Sequence, residues 1–154
     1  AGLFVLILLM FVGASPGSTG GGIKTSTLFA LIQGIKTAAT NTSGKAFHYS
    51  VPHGVFRKAS VIAVMGISVI AVGTFMLCAF EPDIAIRDAL FEMTSAFGTV
   101  GLTTGITTGL CTASKLTSIV MMYIGRLGPL TIATLWYFTN GDRIKYPDGN
   151  IAIG

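Results

Sequence analysis

Charge is the scarcest thing in this sequence: 10% of its 154 residues are Asp, Glu, Lys or Arg, against 51% hydrophobic. A soluble domain carries about a quarter charged residues. That shortage, with a mean hydropathy of +0.75, excludes a disordered chain, a nucleic-acid-binding arm and an ordinary soluble enzyme. Acids are rarer than bases, six against ten, and none lies between Lys24 and Lys58. There are two cysteines, Cys78 and Cys111, with no CxxC and no metal-ligand spacing. Neither a disulfide framework nor a zinc site follows from such a pair. Two separate thiols are the expectation, and a bridge between them the alternative. No Ser/His/Asp set or carboxylate pair argues for catalysis. His48 and His53, five apart with no acid nearby, make a poor metal site and read as surface or interfacial side chains.

What the chain does have is long apolar runs. A membrane-spanning helix needs about 20 predominantly apolar residues. Ala59 to Phe80 supplies 22 without a charge, then stops at Glu81-Pro82-Asp83. Leu116 to Phe138 is a second run, interrupted only by Arg126. A third opens the chain at Gly2 to Val12, breaks into Gly13-Ala-Ser-Pro-Gly-Ser-Thr-Gly-Gly-Gly22, and turns helical again from Ile23 to Ile35. The expected class is an all-α membrane protein. Its segments are a broken span (1–35), a basic connector (36–58), a span (59–80), a re-entrant hairpin (81–115), a span (116–138) and a tail (139–154). The chain opens on Ala1 with no charged leader region and no small-residue cleavage site. It therefore reads as the C-terminal piece of a longer protein, starting inside a membrane helix.

Basic residues favour the cytoplasmic side. Lys24, Lys36, Lys45, Arg57 and Lys58 put the connector there, and Glu81 to Glu92, with four acids and one Arg, outside. Arg143 and Lys145 return the tail to the cytoplasm, behind a Trp136-Tyr137 interfacial belt. The sequon Asn41-Thr42-Ser43 falls on the cytoplasmic side and reads as a chance match.

The hairpin is the unusual part. Ile84 to Phe97 suits a helix about 21 Å long, too short to cross. It carries Asp88 and Glu92 on one face. Gly98 to Gly109 follows with four Gly and five Thr in twelve residues, a composition that disfavours helix. Non-helical backbone at membrane depth survives only where protein buries it or where it lines a water-filled cavity. Extended Thr/Gly backbone offers a row of carbonyls, the means by which cation filters replace a hydration shell. Thr99-Val100-Gly101 matches the first three residues of the potassium-channel filter loop. A flexible outer loop is the plain alternative for the tripeptide alone; the whole unit of span, short helix, Gly/Thr strand and span favours a filter.

Arg126 sits near the middle of its span, where a charge is costly and faces a polar interior. Gly125, Gly128 and Pro129 beside it admit another backbone or a kink. Arg126 is either an electrostatic element lining an ion path or a structural tie to the carbonyls of Gly13–Gly22, and the two roles are compatible. The segment Gly17 to Thr25 imitates a phosphate-binding loop, but Ile23 stands between Gly22 and Lys24 and breaks the register that loop needs. A helix broken in mid-membrane is the better reading.

Three blocks, Phe11 to Thr25, Ser95 to Thr103 and Met122 to Thr131, together resemble the Trk/Ktr/HKT superfamily of potassium uptake proteins. Within it the chain looks most like the membrane subunit of bacterial Ktr systems, and the similarity spans essentially its whole length. The resemblance implies a pore of four membrane–pore–membrane repeats in one chain, of which this sequence carries the end of repeat three and all of repeat four. It implies a potassium filter at Thr99, Val100, Gly101 and Leu102, acting through carbonyls, with potassium as substrate and no cofactor in this chain. It further implies an intramembrane gate at Gly17, Ser18, Thr19, Gly20, Gly21 and Gly22, faced by Arg126. The implied partners are the remaining repeats, a second subunit in a homodimer and a cytosolic nucleotide-binding ring, at the cell membrane; nucleic acid is not among them. The rival reading is a non-conducting helical membrane module that recruits a cytosolic partner through its basic connector.

Overall fold

The computed structural model describes residues 2–40, 45–46, 49–50, 53–128 and 131. Five helices account for most of them: α1 (Gly2–Phe11), α2 (Thr25–Thr40), α3 (His53–Phe80), α4 (Ile86–Gly98) and α5 (Thr112–Leu127). A single 3-10 turn lies at Thr107–Gly109. Two small pairings depart from the all-α expectation. Between α2 and α3, β1 (Lys45–Ala46) pairs antiparallel with β2 (Tyr49–Ser50), Lys45 opposite Ser50. Val12 and Ile23 form an isolated parallel bridge.

Helix α3 is the long element, and Gly54–Phe80 is apolar enough over its length to cross a bilayer. It starts at His53, six residues before the expected Ala59. Arg57 and Lys58 read as connector, yet a long basic side chain can lie along a helix end and keep its charge in the headgroup region. Helix α2 likewise runs on to Thr40, five residues past Ile35. Helix α5 begins at Thr112 rather than Leu116, and its described part ends at Leu127 before Gly128, whose φ is +86°. Apart from Thr131, the rest of the expected 116–138 span, the 139–154 tail, the Trp136-Tyr137 belt, the sequon and His48 lie outside the described residues. Both cysteines are free, Cys78 partly buried and Cys111 exposed.

An apolar core around Leu77, Met93 and Phe97 coexists with many apolar side chains on the outside. The large apolar side chains Phe4, Leu9, Val64, Phe75 and Ile86 are exposed, while Thr74, Glu92, Thr94, Ser95 and Ser114 are buried. That distribution suits a surface facing lipid or further helices rather than water. Hydroxyls inside the helices are kept from being orphaned: Ser68, Thr74, Thr94, Thr117 and Ser118 each donate to the carbonyl four residues back. In hydrocarbon no water is available to do so.

Helix α4 is the centre, packed by α1, α3 and α5, with α2 against α3. At 13 residues it is about 20 Å long. Every residue from Phe91 to Gly98 is buried, so its C-terminal half has no outward face. Small residues allow the approach: a Cβ on Gly73 of α3 would lie 2.8 Å from the Met121 sulfur of α5, and one on Gly34 of α2 would collide with the Phe56 ring of α3.

Candidate functional site

Four segments meet at the last turn of α4. Phe97 is fully buried, its ring stacked 6.5 Å from that of Phe11 at the end of α1. A Cβ on Gly125 of α5 would collide with the Phe97 carbonyl, and one on Gly98 would lie 2.7 Å from the carbonyl of Met10. A Cβ on Gly21 would lie 2.8 Å from the Phe97 carbonyl oxygen. Ile23 and Gly66 complete the ring of neighbours, with a Gly66 Cβ 3.4 Å from the Phe97 ring. Backbone touches backbone here because glycine stands at each approach.

Helix α4 then ends in a Schellman arrangement: the Val100 amide donates to the Ser95 carbonyl at 3.0 Å and the Thr99 amide to that of Ala96 at 3.1 Å. The turn needs a left-handed residue, and glycine is its usual occupant. Here Thr99 takes the position, at φ 52° and ψ 39°. A β-branched residue in that region is an outlier that surrounding contacts must hold. Its Oγ1 accepts the Gly21 amide at 2.8 Å, which ties the two glycine-rich segments together. Beyond it the chain is neither helix nor strand, and Val100, Gly101 and Leu102 are exposed. The carbonyls of Thr99 to Leu102 accept no hydrogen bond among the described residues. Gly101 has φ +85°, and an added Cβ would meet nothing within 4 Å, so its requirement for glycine is conformational rather than steric.

The segment between α1 and α2 is a closed loop rather than a loose one. Its ends are pinched by Gly13 donating to Ile23 at 2.7 Å and Ile23 donating to Phe11 at 3.2 Å. A Cβ on Gly13 would overlap the Gly21 carbonyl. At the tip, Pro16 and Gly17 (φ +85°) occupy the centre of a turn closed by Ser18 donating to Ser15 at 3.1 Å, the pattern of a type II turn. Residues 15–19 are exposed and 21–23 buried. Lys24 folds back so that Nζ donates to the Gly20 carbonyl at 2.6 Å. That contact, and a helix rather than a strand upstream, dispose of the phosphate-loop imitation.

Arg126 stands next to Gly125 in the last turn of the described part of α5, exposed. Among the described residues it makes no hydrogen bond or ion pair, although the carbonyls of Gly13–Gly22 were expected for it; one of them, at Gly20, accepts from Lys24 instead. Its cation lies at the helix's C-terminal end, where the macrodipole favours it.

Two carboxylates hold the outer half of the hairpin. Glu92, 8% exposed, receives the hydroxyl of Thr103, the hydroxyl of Thr107 at 3.1 Å and the amide of Thr104 at 3.3 Å, all on Oε1. Glu81, just past α3, receives the Cys111 amide at 2.6 Å and the Ser114 hydroxyl at 3.5 Å, at the start of α5. The Cys111 amide above all keeps the Glu81 carboxyl below its ordinary range. A cavity of about 450 Å³ opens between α4, the Gly/Thr segment and α5, bordered by Glu92, Ser95, Thr99, Gly101, Thr103 and Ser118 among others. Sequence reasoning placed Glu92 on a helix face but missed that it anchors the loop. The available signal was one acid inside the otherwise uncharged stretch Ala89–Thr103.

A family model for TrkH, described as a cation transport protein, matches residues 1–144. The chain belongs to the TrkH family. This is a family of membrane transport proteins, not enzymes. The TrkH chain is 37% identical over 149 residues to the Ktr system potassium uptake protein B of Bacillus subtilis (strain 168), covering 96% of this chain and 33% of that protein. It is 35% identical to the Ktr system potassium uptake protein B of Vibrio alginolyticus, over 99% of this chain and 33% of the other. It is 36% identical to the potassium/sodium uptake protein NtpJ of Enterococcus hirae, over its full length and 36% of the other. It therefore spans about a third of the length of these relatives.

Proposed function

We propose that this chain forms one side of a potassium-uptake pore in the cell membrane: the end of a third membrane–pore–membrane repeat and the whole of a fourth. One observation carries the reading. Among the described residues, the carbonyls of Thr99, Val100, Gly101 and Leu102 accept no hydrogen bond, and they stand at the end of a short helix whose C-terminal half is buried. Backbone carbonyls at membrane depth need a partner, and a dehydrated potassium ion supplies one. Equivalent segments of the other repeats would close the ring. The loop carrying Gly17, Ser18, Thr19, Gly20, Gly21 and Gly22 is the gate, since it lies against the α4 terminus and ends in an exposed tip. Arg126 adds positive charge nearby. Relatives' names support potassium as cargo. A homodimer and a cytosolic nucleotide-binding ring, with the basic connector as its docking side, are the partners this reading takes. The non-conducting alternative has none of the relatives above behind it.

The test uses the full-length protein in vesicles. Gly101→Ser must leave φ +85°, so potassium uptake falls and the potassium/sodium permeability ratio drops toward one. An unchanged ratio in a correctly assembled variant overturns the filter. A second arm excises Pro16–Ser18, which leaves the neck and Gly21 in place. Flux rises if the tip obstructs the path, and unchanged flux makes the loop a structural element.

A further inference from the structure

We propose that Glu92 is a positioning residue for the filter, acting as a hydrogen-bond acceptor that holds the outer half of the Gly/Thr segment, and not as a charge that attracts the ion. The inference rests on the pore reading above and names a residue outside the four carbonyl donors.

Glu92 lies on α4 two turns before the helix end, inside the stretch with no outward face. Its Oε1 gathers three donors from Thr103, Thr104 and Thr107. Those donors sit immediately after Leu102. They form a small closed network of their own: Thr103 and Thr107 hydroxyls lie 2.6 Å apart, and the Gly105 amide donates to Thr103 Oγ1 at 3.0 Å. The inner end of the segment is fixed by the Schellman turn and by Gly21 on Thr99. Between these two anchors, Val100, Gly101 and Leu102 are exposed and, from Gly101 on, make no backbone hydrogen bonds among the described residues. A three-residue bridge has little slack, so the separation of its anchors sets where its carbonyls stand. Moving the outer anchor changes the spacing of the ring without touching any ring residue.

The roles of acceptor and charge separate cleanly by substitution. Gln has an amide oxygen at the same reach and no charge, whereas Leu has similar volume and no acceptor. Losing the acceptor also leaves the part-buried Thr104 amide without its partner. In full-length protein reconstituted in vesicles, Glu92→Gln is expected to keep the wild-type potassium/sodium permeability ratio within about twofold. Glu92→Leu is expected to lose at least tenfold. Should Glu92→Leu fail to assemble, Thr103→Val with Thr107→Val removes two donors while keeping Glu92, and the same loss of preference is expected with normal assembly by gel filtration. A wild-type ratio in Glu92→Leu or in the double valine variant overturns the proposal. A loss in Glu92→Gln as large as in Glu92→Leu overturns it in favour of charge. The pore reading is judged separately by Gly101→Ser: if that variant leaves the ratio unchanged, the filter itself is elsewhere, whatever Glu92 does.

Discussion

Two glycine-bearing stretches, Gly13–Lys24 with five Gly and Thr99–Cys111 with three Gly and five Thr, interrupt the helices of this chain, and they are supported in opposite ways. The first is held by its own backbone. Gly13, Ile23 and Phe11 exchange amide–carbonyl bonds, and glycine at 13, 21 and 22 lets the strands of the neck touch. The second is held by two carboxylates from earlier in the chain, Glu92 within α4 and Glu81 just after α3. The difference teaches which substitutions each stretch can bear. A neck built of backbone is sensitive to any Cβ and indifferent to charge. A loop built on carboxylates has room for bulk wherever φ is not positive, so that Gly101 and Gly105 are excepted, and it depends on two distant residues.

The contrast is broken most forcefully by alanine at matched glycines. Gly13→Ala drives a methyl into the Gly21 carbonyl, and overpacking of that kind costs about 3 kcal/mol at its upper end. Gly109→Ala in the outer loop meets nothing within 4 Å and shifts stability by less than about 0.5 kcal/mol. Thermal unfolding of the full-length protein in detergent checks both; equal shifts would erase the distinction.

A smaller effect is expected where the two stretches touch. Thr99→Val keeps the branched shape but removes the acceptor of the buried Gly21 amide, for about 1–2 kcal/mol. Thr99→Ser keeps the oxygen and is expected to retain most of that. If valine and serine behave alike, the bond between loop and helix end contributes nothing.

How much of this was readable beforehand follows from the range of each cause. The break after Val12 and the span ending at Phe80 were legible because glycine clusters and uncharged runs act locally. The start of α3 at His53 was not legible from the apolar run beginning at Ala59, since basic residues such as Arg57 and Lys58 interrupt hydropathy without ending a helix. The crowding of Gly21, Gly98 and Gly125 around the Phe97–Thr99 turn joins residues far apart in the chain, and no periodicity announces it. The same holds for Lys24, whose bond to Gly20 occupies one of the Gly13–Gly22 carbonyls expected as acceptors for Arg126.

The smallest expected effect is a matter of pH. The Glu81 carboxyl titrates below its ordinary range because the Cys111 amide favours the ionised form. A depressed folded-state value means the tie is fully present above the ordinary glutamate value, about 4.3, and is lost as pH falls through the lower folded value. Amide exchange at Cys111 is therefore expected to stay protected down to that point and to rise below it. In Glu81→Gln the profile should be flat; a wild-type profile in that variant would remove Glu81 as the cause.

The shortness of α4 also has a consequence for how the protein is made. A segment of 13 residues containing Asp88 and Glu92 lacks the unbroken apolar length, about 20 residues, that lets a helix enter lipid by itself. Helix α3 has that length. By length α3 can enter lipid as an independent stem, whereas α4 needs neighbours to cover Asp88 and Glu92. The amides and hydroxyls tied to Glu92 then shield a carboxylate that hydrocarbon does not accept bare, as well as shaping the finished fold.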